Sequence, residues 1–416
     1  MILRYFVHSY FLIFSIGIYL SGTFGIEYLK GIVFFLSSIY IFQRLLRSNI
    51  FTHKFELFSL KTFLFLYVLL YSALSLFRAS SGFSSIFLAP VLFIHLLFWN
   101  LLYTSKVYKN NSQLLFRDIY VSLFILMSFT FINAWYVSGS SFHPGSIHNI
   151  AEKSNFIYSD YDVPMLSLIC FFPALSMLQC KLKNISGGAL KNVTFIILSF
   201  LLVILVQYFM GRRSHLALIF IAILFSLLPK SKQIIGIYIT LLSIPFIPIF
   251  WTFISEYLIE IVSIDYINKF MVRGDVTHFA TATFRLKAWI LGIKDILNFD
   301  YIHLIGYGDI PQRISLNHNH MHNLYLNLIL EAGFITTIIV FIIFFKIIKM
   351  TQDLYKTKDN KNESLSFILL YILSINIQAP FESILMSYST MHLIFISIAI
   401  TICNYLNEIK KLGNLS

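Results

Sequence analysis

Long apolar runs dominate the chain, broken at short intervals by charge clusters, prolines and glycine pairs. A helix that crosses a bilayer needs about 20 mostly apolar residues. Twelve stretches are candidates, several of them short: 5–22, 26–43, 60–77, 83–103, 118–137, 164–180, 192–210, 214–229, 233–254, 330–349, 365–380 and 386–405. Pro164, Pro229, Pro380, the pair Gly187-Gly188 and lysine clusters mark the breaks between them. No small-residue cleavage site follows a clear signal-peptide core, so the first stretch reads as a retained helix. No heptad or longer repeat stands out. The pattern predicts an all-α polytopic membrane protein with about 12 transmembrane helices. It forms a single membrane domain over 1–416, with one large loop at 255–329 between spans nine and ten.

Composition agrees. Hydrophobic residues make up 58% of the 416 and charged residues only 12%, about half the usual share of a soluble domain. Too few charges remain to coat a soluble chain of this length. A disordered chain, a disulfide scaffold and an ordinary soluble enzyme are thereby excluded. Cys170, Cys180 and Cys403 lie in or beside apolar runs and read as small apolar fillers.

The net charge of +12 acquires meaning once it is mapped. With the N-terminus in the cytoplasm and alternating spans, 20 of the 31 basic residues fall on the cytoplasmic side. This follows the positive-inside rule. Both termini are then cytoplasmic, the large loop lies outside, and the basic balance reports topology instead of a nucleic-acid partner. Arg212 and Arg213 stand against the rule, in a very short outer turn between two apolar spans. A cation placed there needs another reason.

A loop of this length is expected to carry function or its own structure. Glu256, Glu260 and Ser263 form a narrow polar stripe on an otherwise apolar stretch, the pattern of a helix lying in the membrane interface. From Thr283 to Phe299, Leu286, Trp289, Ile293 and Ile296 share one face and predict a second such helix, with Arg285 near its start. Gly306-Tyr307-Gly308 reads as a tight turn. A histidine-rich run follows, containing His318, His320 and His322, and Asn323 leads at once into an apolar helix with Glu331.

His322, at a membrane boundary, is placed to take a proton from a sugar hydroxyl. Its ordinary pKa near 6.5 suits that task. The turn Gly211-Arg212-Arg213-Ser214 is its natural partner, because guanidinium binds phosphate bidentately. Lipid-headgroup anchoring is the competing role for either arginine. Arg285 is a second phosphate clamp or an interfacial anchor. His318, His320 and His322 alternate but lack a fourth ligand for zinc. Asp160-Tyr161-Asp162 matches a spacing that binds divalent cations in some sugar transferases. No phosphate-loop or dinucleotide fingerprint occurs.

These residues resemble the O-antigen ligase family of bacterial inner-membrane proteins, which includes ligases and polysaccharide polymerases. Four stretches between 205 and 345 carry the resemblance in order: Gly211 to Leu216, Thr283 to Trp289, Gly306 to Gly308, and His322-Asn323 followed by Leu326, Leu330, Glu331, Ala332 and Gly333. Departures are the doubled arginine at 212, the extra His318 and His320, and Gly333-Phe334-Ile335-Thr336 where the family has a glycine-leucine-glycine-like stretch.

The resemblance implies a GT-C-like glycosyltransferase acting on the periplasmic face without metal or cofactor. It would be inverting, with an undecaprenyl-diphosphate-linked glycan as donor. Arg213 and Arg285 would hold the pyrophosphate, with Arg212 as alternative or second contact. His322 would activate the acceptor hydroxyl, and Asn323 would help bind substrate. The acceptor is lipid A–core for a ligase, the favoured reading, or a lipid-linked repeat unit for a polymerase. Membrane lipids and a chain-length regulator protein are further expected partners. A lipid-linked oligosaccharide flippase is the third reading, disfavoured because the spans are nearly charge-free.

Overall fold

Apolar runs fold as helices because only a helix bonds every backbone N–H and C=O within its own segment when water is excluded. The computed structural model describes residues 4, 7–8, 26–47, 59–77, 83–109, 111–137, 162–182, 189–209, 213–250, 288–307, 323–356, 363–379 and 390–413. Among these the chain is almost entirely helical and contains no strand. We label the main helices α1 (Ile26–Arg47), α2 (Leu60–Phe77), α3 (Phe83–Tyr103), α4 (Ser112–Val137), α5 (Asp162–Leu182), α6 (Ala189–Phe209), α7 (Arg213–Leu227) and α8 (Lys230–Ser243). They continue with α9 (288–297), α10 (Leu324–Lys356), α11 (Glu363–Gln378) and α12 (Thr390–Gly413). Each apolar stretch from 26 onward overlaps one of these, with 251–254 and 386–389 outside the described residues. The stretch 5–22 lies almost wholly outside the described residues.

Local signals set the helix ends. Ser59 caps α2, its Oγ accepting the Thr62 N–H at 3.2 Å. Pro229 separates α7 from α8. The buried Gln233 amide then donates to the carbonyls of Ser226 (3.1 Å) and Leu228 (2.9 Å), groups at the end of α7 that the helix leaves unbonded. Further back, Arg4 forks onto Asp118 of α4 at 2.8 and 2.6 Å, and the Tyr108 hydroxyl donates to the same carboxylate at 3.0 Å.

The helices pack in two neighbouring groups. α2, α3 and α12 are mutual neighbours, α1 lies on α3, and α10 packs on α2 and α12. α5 packs against α4, α6, α7 and α11, while α8 bridges α10 and α11. Large aromatic side chains fill the interior, among them Tyr67, Tyr71, Trp99, Tyr108 and Phe171.

The outside is apolar. Phe35, Phe42, Leu46, Leu201, Phe220, Leu227, Leu242 and Phe250 are each half or more exposed. Meanwhile Asp118, Gln207, Gln233, Asn327, Glu331 and Asn376 are buried. Large apolar side chains outside and polar ones inside reverse the usual arrangement of a soluble domain. Among the described helices, α10 is the one long and apolar enough to cross a membrane by length and composition.

α10 is not straight. Gly333 takes φ 83° and ψ 166°, dividing it into an arm 324–332 (α10a) and an arm 334–356 (α10b). α10b alone reaches about 35 Å, more than the roughly 30 Å of bilayer hydrocarbon. The Tyr325 ring stacks on Phe341 with centroids 5.0 Å apart. In a straight helix these two positions would lie about 24 Å apart. α10a therefore folds back sharply toward α10b. The apolar run at 330–349 hides this bend, because hydrophobicity continues across the glycine.

Candidate functional site

α10a begins at Asn323, immediately after the histidine-rich run. The Asn323 side chain accepts the N–H groups of Tyr325 and Leu326, both at 3.0 Å, and its carbonyl accepts the Asn327 N–H at 2.9 Å. The Leu324 N–H donates to the Ala379 carbonyl at 2.7 Å, just past the end of α11. The four N–H groups of the first turn are thus engaged. This helix start presents a rigid, capped edge and leaves no open cradle for an anion. Tyr325 adds a second tie to α11, donating to Asn376 Oδ1 at 3.1 Å. Asn323 itself is buried.

Asn323, Asn327 and Glu331 recur every fourth residue and so share one face of α10a. The Asn327 amide donates to Glu331 Oε2 at 2.7 Å, and the Tyr71 hydroxyl of α2 donates to Glu331 Oε1 at 2.8 Å. The Tyr71 ring meets His392 of α12 edge to face at 4.6 Å, and the Tyr67 hydroxyl bonds His392 Nε2 at 2.8 Å. A buried polar column thus runs from the Asn323 cap into the contact of α2, α10 and α12. Sequence reasoning placed Glu331 in the helix but missed the column. The four-residue spacing of Asn323, Asn327 and Glu331 is the signal that would have found it.

Residues 304–307 are seated on the helix break. Gly306 has φ 88°, and a Cβ there would lie 2.4 Å from the Glu331 carbonyl oxygen. A Cβ on Gly333 would lie 2.4 Å from the Leu304 carbonyl oxygen. Each glycine is therefore required both by conformation and by close backbone approach. The Tyr307 N–H donates to the Leu330 carbonyl at 2.6 Å. His303, buried in the one-turn helix Ile302–Ile305, holds this turn together. Its Nδ1 lies 2.9 Å from the Asp300 N and 3.2 Å from the Asp300 carbonyl oxygen. Nε2 lies 3.1 Å from Asp295 Oδ2 and 2.8 Å from the Tyr307 hydroxyl. Nothing in the sequence reading singled out His303 or Asp295.

The second loop helix is described from residue 288, and its apolar side meets α10a. Ala288 and Trp289 of α9 pack with Leu326 and Leu330 of α10a, and Ile293 and Ile296 join that cluster. Of the predicted face, Trp289 is buried and Ile293 and Ile296 are partly buried in this cluster, while Leu286 lies outside the described residues. Exposed apolar groups lie beyond it, at Leu297, Phe299, Tyr301 and Ile305.

The arginine turn opens α7, whose first residue is Arg213. Two residues on, His215 Nδ1 lies 3.1 Å from Gln207 Oε1 on α6, and the Gln207 amide donates to Ser167 of α5. This buried trio ties the end of α6 and the start of α7 to α5. α7 packs on α11, the helix whose end receives the Leu324 N–H. The arginine-bearing helix and α10a are thus neighbours of the same helix. Arg212, Arg285, His322, His318, His320 and Asp160 lie outside the described residues, as does the predicted interfacial helix near 256–271. For Arg213 only the backbone is described. Among the described residues no group of three His, Cys, Asp or Glu side chains is placed to hold a metal ion. No protein-family model and no curated protein matches the chain.

Proposed function

We propose that the protein is a membrane glycosyltransferase that moves a glycan from a lipid diphosphate, of the undecaprenyl kind, to a sugar hydroxyl. The observation that carries this reading is the folded-back arm α10a. It opens on Asn323 directly after His322, and its first turn is fixed against the end of α11. A general base must be held at a fixed distance from the hydroxyl it deprotonates, and a rigid capped edge next in sequence provides that. The engaged N–H groups at this edge leave phosphate binding to the arginines, in keeping with Arg213 at the start of α7 and with Arg212 and Arg285. The apolar exterior and the basic cytoplasmic loops support a multi-pass protein of about twelve spans in the bacterial inner membrane.

In this mechanism the arginines bind the pyrophosphate and stabilise the charge that develops on it as it leaves. His322 takes the proton of the acceptor hydroxyl, whose oxygen attacks the anomeric carbon from the opposite face. The configuration inverts, and no metal takes part. The ligase reading has lipid A–core as acceptor; the polymerase reading has a second lipid-linked repeat unit. Deleting the gene separates them on a gel of surface glycolipids. Loss of a ligase leaves bare core with polymer retained on the lipid carrier, and loss of a polymerase leaves core capped by a single repeat. Unchanged glycolipids would refute both.

One observation favours a second class. A broken helix with a buried carboxylate beside the break, as at Gly333 and Glu331, is also how transporters build ion and substrate sites. A lipid-linked oligosaccharide flippase would then leave the donor trapped on the cytoplasmic leaflet when the gene is deleted. A transferase would leave it on the outer leaflet.

A further inference from the structure

Resting on the transfer reading above, we infer that Glu331 is a positioning residue for the acceptor side, setting the angle of α10a and with it Asn323 at its start, the residue that follows His322 in the sequence. α10a is a rod of nine residues, about 13 Å long. Its first turn is tied to α11 through Leu324 with Ala379 and Tyr325 with Asn376. Its far end abuts Gly333, where the backbone turns and could pivot. Glu331 sits two residues before that pivot and ties the rod to α2 through Tyr71.

The two carboxylate oxygens have divided duties. Oε1 takes the Tyr71 hydroxyl, which crosses to another helix from a residue 260 positions away. Oε2 takes the Asn327 amide, which lies one turn back on the same face as Asn323. Rotation of α10a about its own axis breaks the first bond and swings Asn327 away from α2. Glu331 thus ties the Asn323–Asn327–Glu331 face to α2, as Leu324 and Tyr325 tie the first turn to α11. Glu331, Asn327, Tyr71, Tyr67 and His392 are all buried, so water offers these groups little competing partnership. Gly306, packed against the Glu331 carbonyl, holds the same point from the outer side.

This arrangement specifies which step suffers. A misplaced acceptor hydroxyl slows transfer, and displacements near 1 Å can lower rates on the order of a hundredfold. Donor binding, carried by the arginines, is left intact.

The test uses the full chain in lipid nanodiscs, assayed for transfer and, separately, for binding of a fluorescent lipid-diphosphate-linked glycan. Glu331→Leu should lower kcat on the order of a hundredfold while donor affinity stays within about twofold. Glu331→Gln should recover most of that loss. Its amide oxygen still accepts the Tyr71 hydroxyl, and Asn327 can turn its own oxygen toward the new N–H₂. Tyr71→Phe, the mildest change, should lower kcat without altering donor affinity. A Glu331→Leu protein with near wild-type kcat per folded molecule overturns the proposal, as does donor binding lost in parallel with turnover. If the wild-type protein transfers to neither acceptor, the transfer reading itself falls and takes the acceptor role with it. Thermal unfolding of the Tyr71→Phe and Glu331→Leu pair then judges the clamp separately. A double variant melting no lower than the worse single variant supports it, and additive shifts overturn it.

Discussion

Two buried carboxylates, Asp118 and Glu331, show different uses of the same group. Asp118 of α4 takes a bidentate fork from Arg4, 114 positions earlier, with Tyr108 as a third donor. Opposite charges meet there, and the pair fastens the start of the chain to the bundle. Glu331 is bonded by a phenol and an amide, two residues from a break where two glycines let backbones touch. The first is an anchor whose strength comes from charge. The second is a locating pin whose value lies in direction. Burial alone thus does not mark a carboxylate as functional; what it positions must be read from its neighbours.

Several substitutions would sharpen that contrast. The largest effect is expected at the glycine contact. Gly333→Ala and Gly306→Ala each force a side chain into φ near 85° and into a carbonyl oxygen at 2.4 Å. The backbone strain alone costs about 1–3 kcal/mol, and the clash has no flexible side chain to yield. Little folded protein should survive detergent extraction, measured by size-exclusion chromatography, and equal recovery with the wild type would contradict the close approach.

At the anchor, Arg4→Ala leaves the buried Asp118 carboxylate without its guanidinium, with Tyr108 and His8 as its remaining neighbours. Breaking such a pair costs about 3–5 kcal/mol, less any relief from the partial exposure of Arg4. A large drop in melting temperature with kcat preserved in the surviving protein is the expected signature. Tyr71→Phe should cost less, about 1–3 kcal/mol for a buried acceptor losing its donor, yet harm turnover more. If Arg4→Ala instead lowered kcat and Tyr71→Phe did not, the two roles would have to be exchanged. The smallest effect is reserved for the cap of α2, where Ser59→Ala should cost about 1 kcal/mol and leave transfer unchanged. A thermal melt read beside the same turnover assay checks it.

The sequence showed the helices well and their bends poorly. The expected runs 60–77 and 83–103 coincide with α2 and α3, since a helix satisfies its backbone polar groups within its own apolar segment. The run at 330–349 concealed the fold-back at Gly333, since hydrophobicity carries no record of a positive φ. Trp289, Ile293 and Ile296 were legible as one face, but not what covered it; Leu326 and Leu330 are the answer. The Glu331–Tyr71 bond joins residues 260 positions apart, and no local period reports such a pairing. The capping role of Asn323 was equally hidden. Its side chain serves the backbone of its own helix, so any part in substrate binding is limited to what that geometry leaves open.

The central claim is transfer from a lipid diphosphate to a hydroxyl with His322 and the arginines in action. The direct measurement places the purified chain in proteoliposomes with a lipid-diphosphate-linked glycan and either lipid A–core or a second lipid-linked glycan, in the presence of EDTA. Product should form with the wild-type protein. It should be abolished in His322→Ala and in Arg213→Ala, and strongly reduced in Arg213→Lys, where a point charge replaces a bidentate fork. No product with either acceptor, or undiminished product in His322→Ala, would contradict the account.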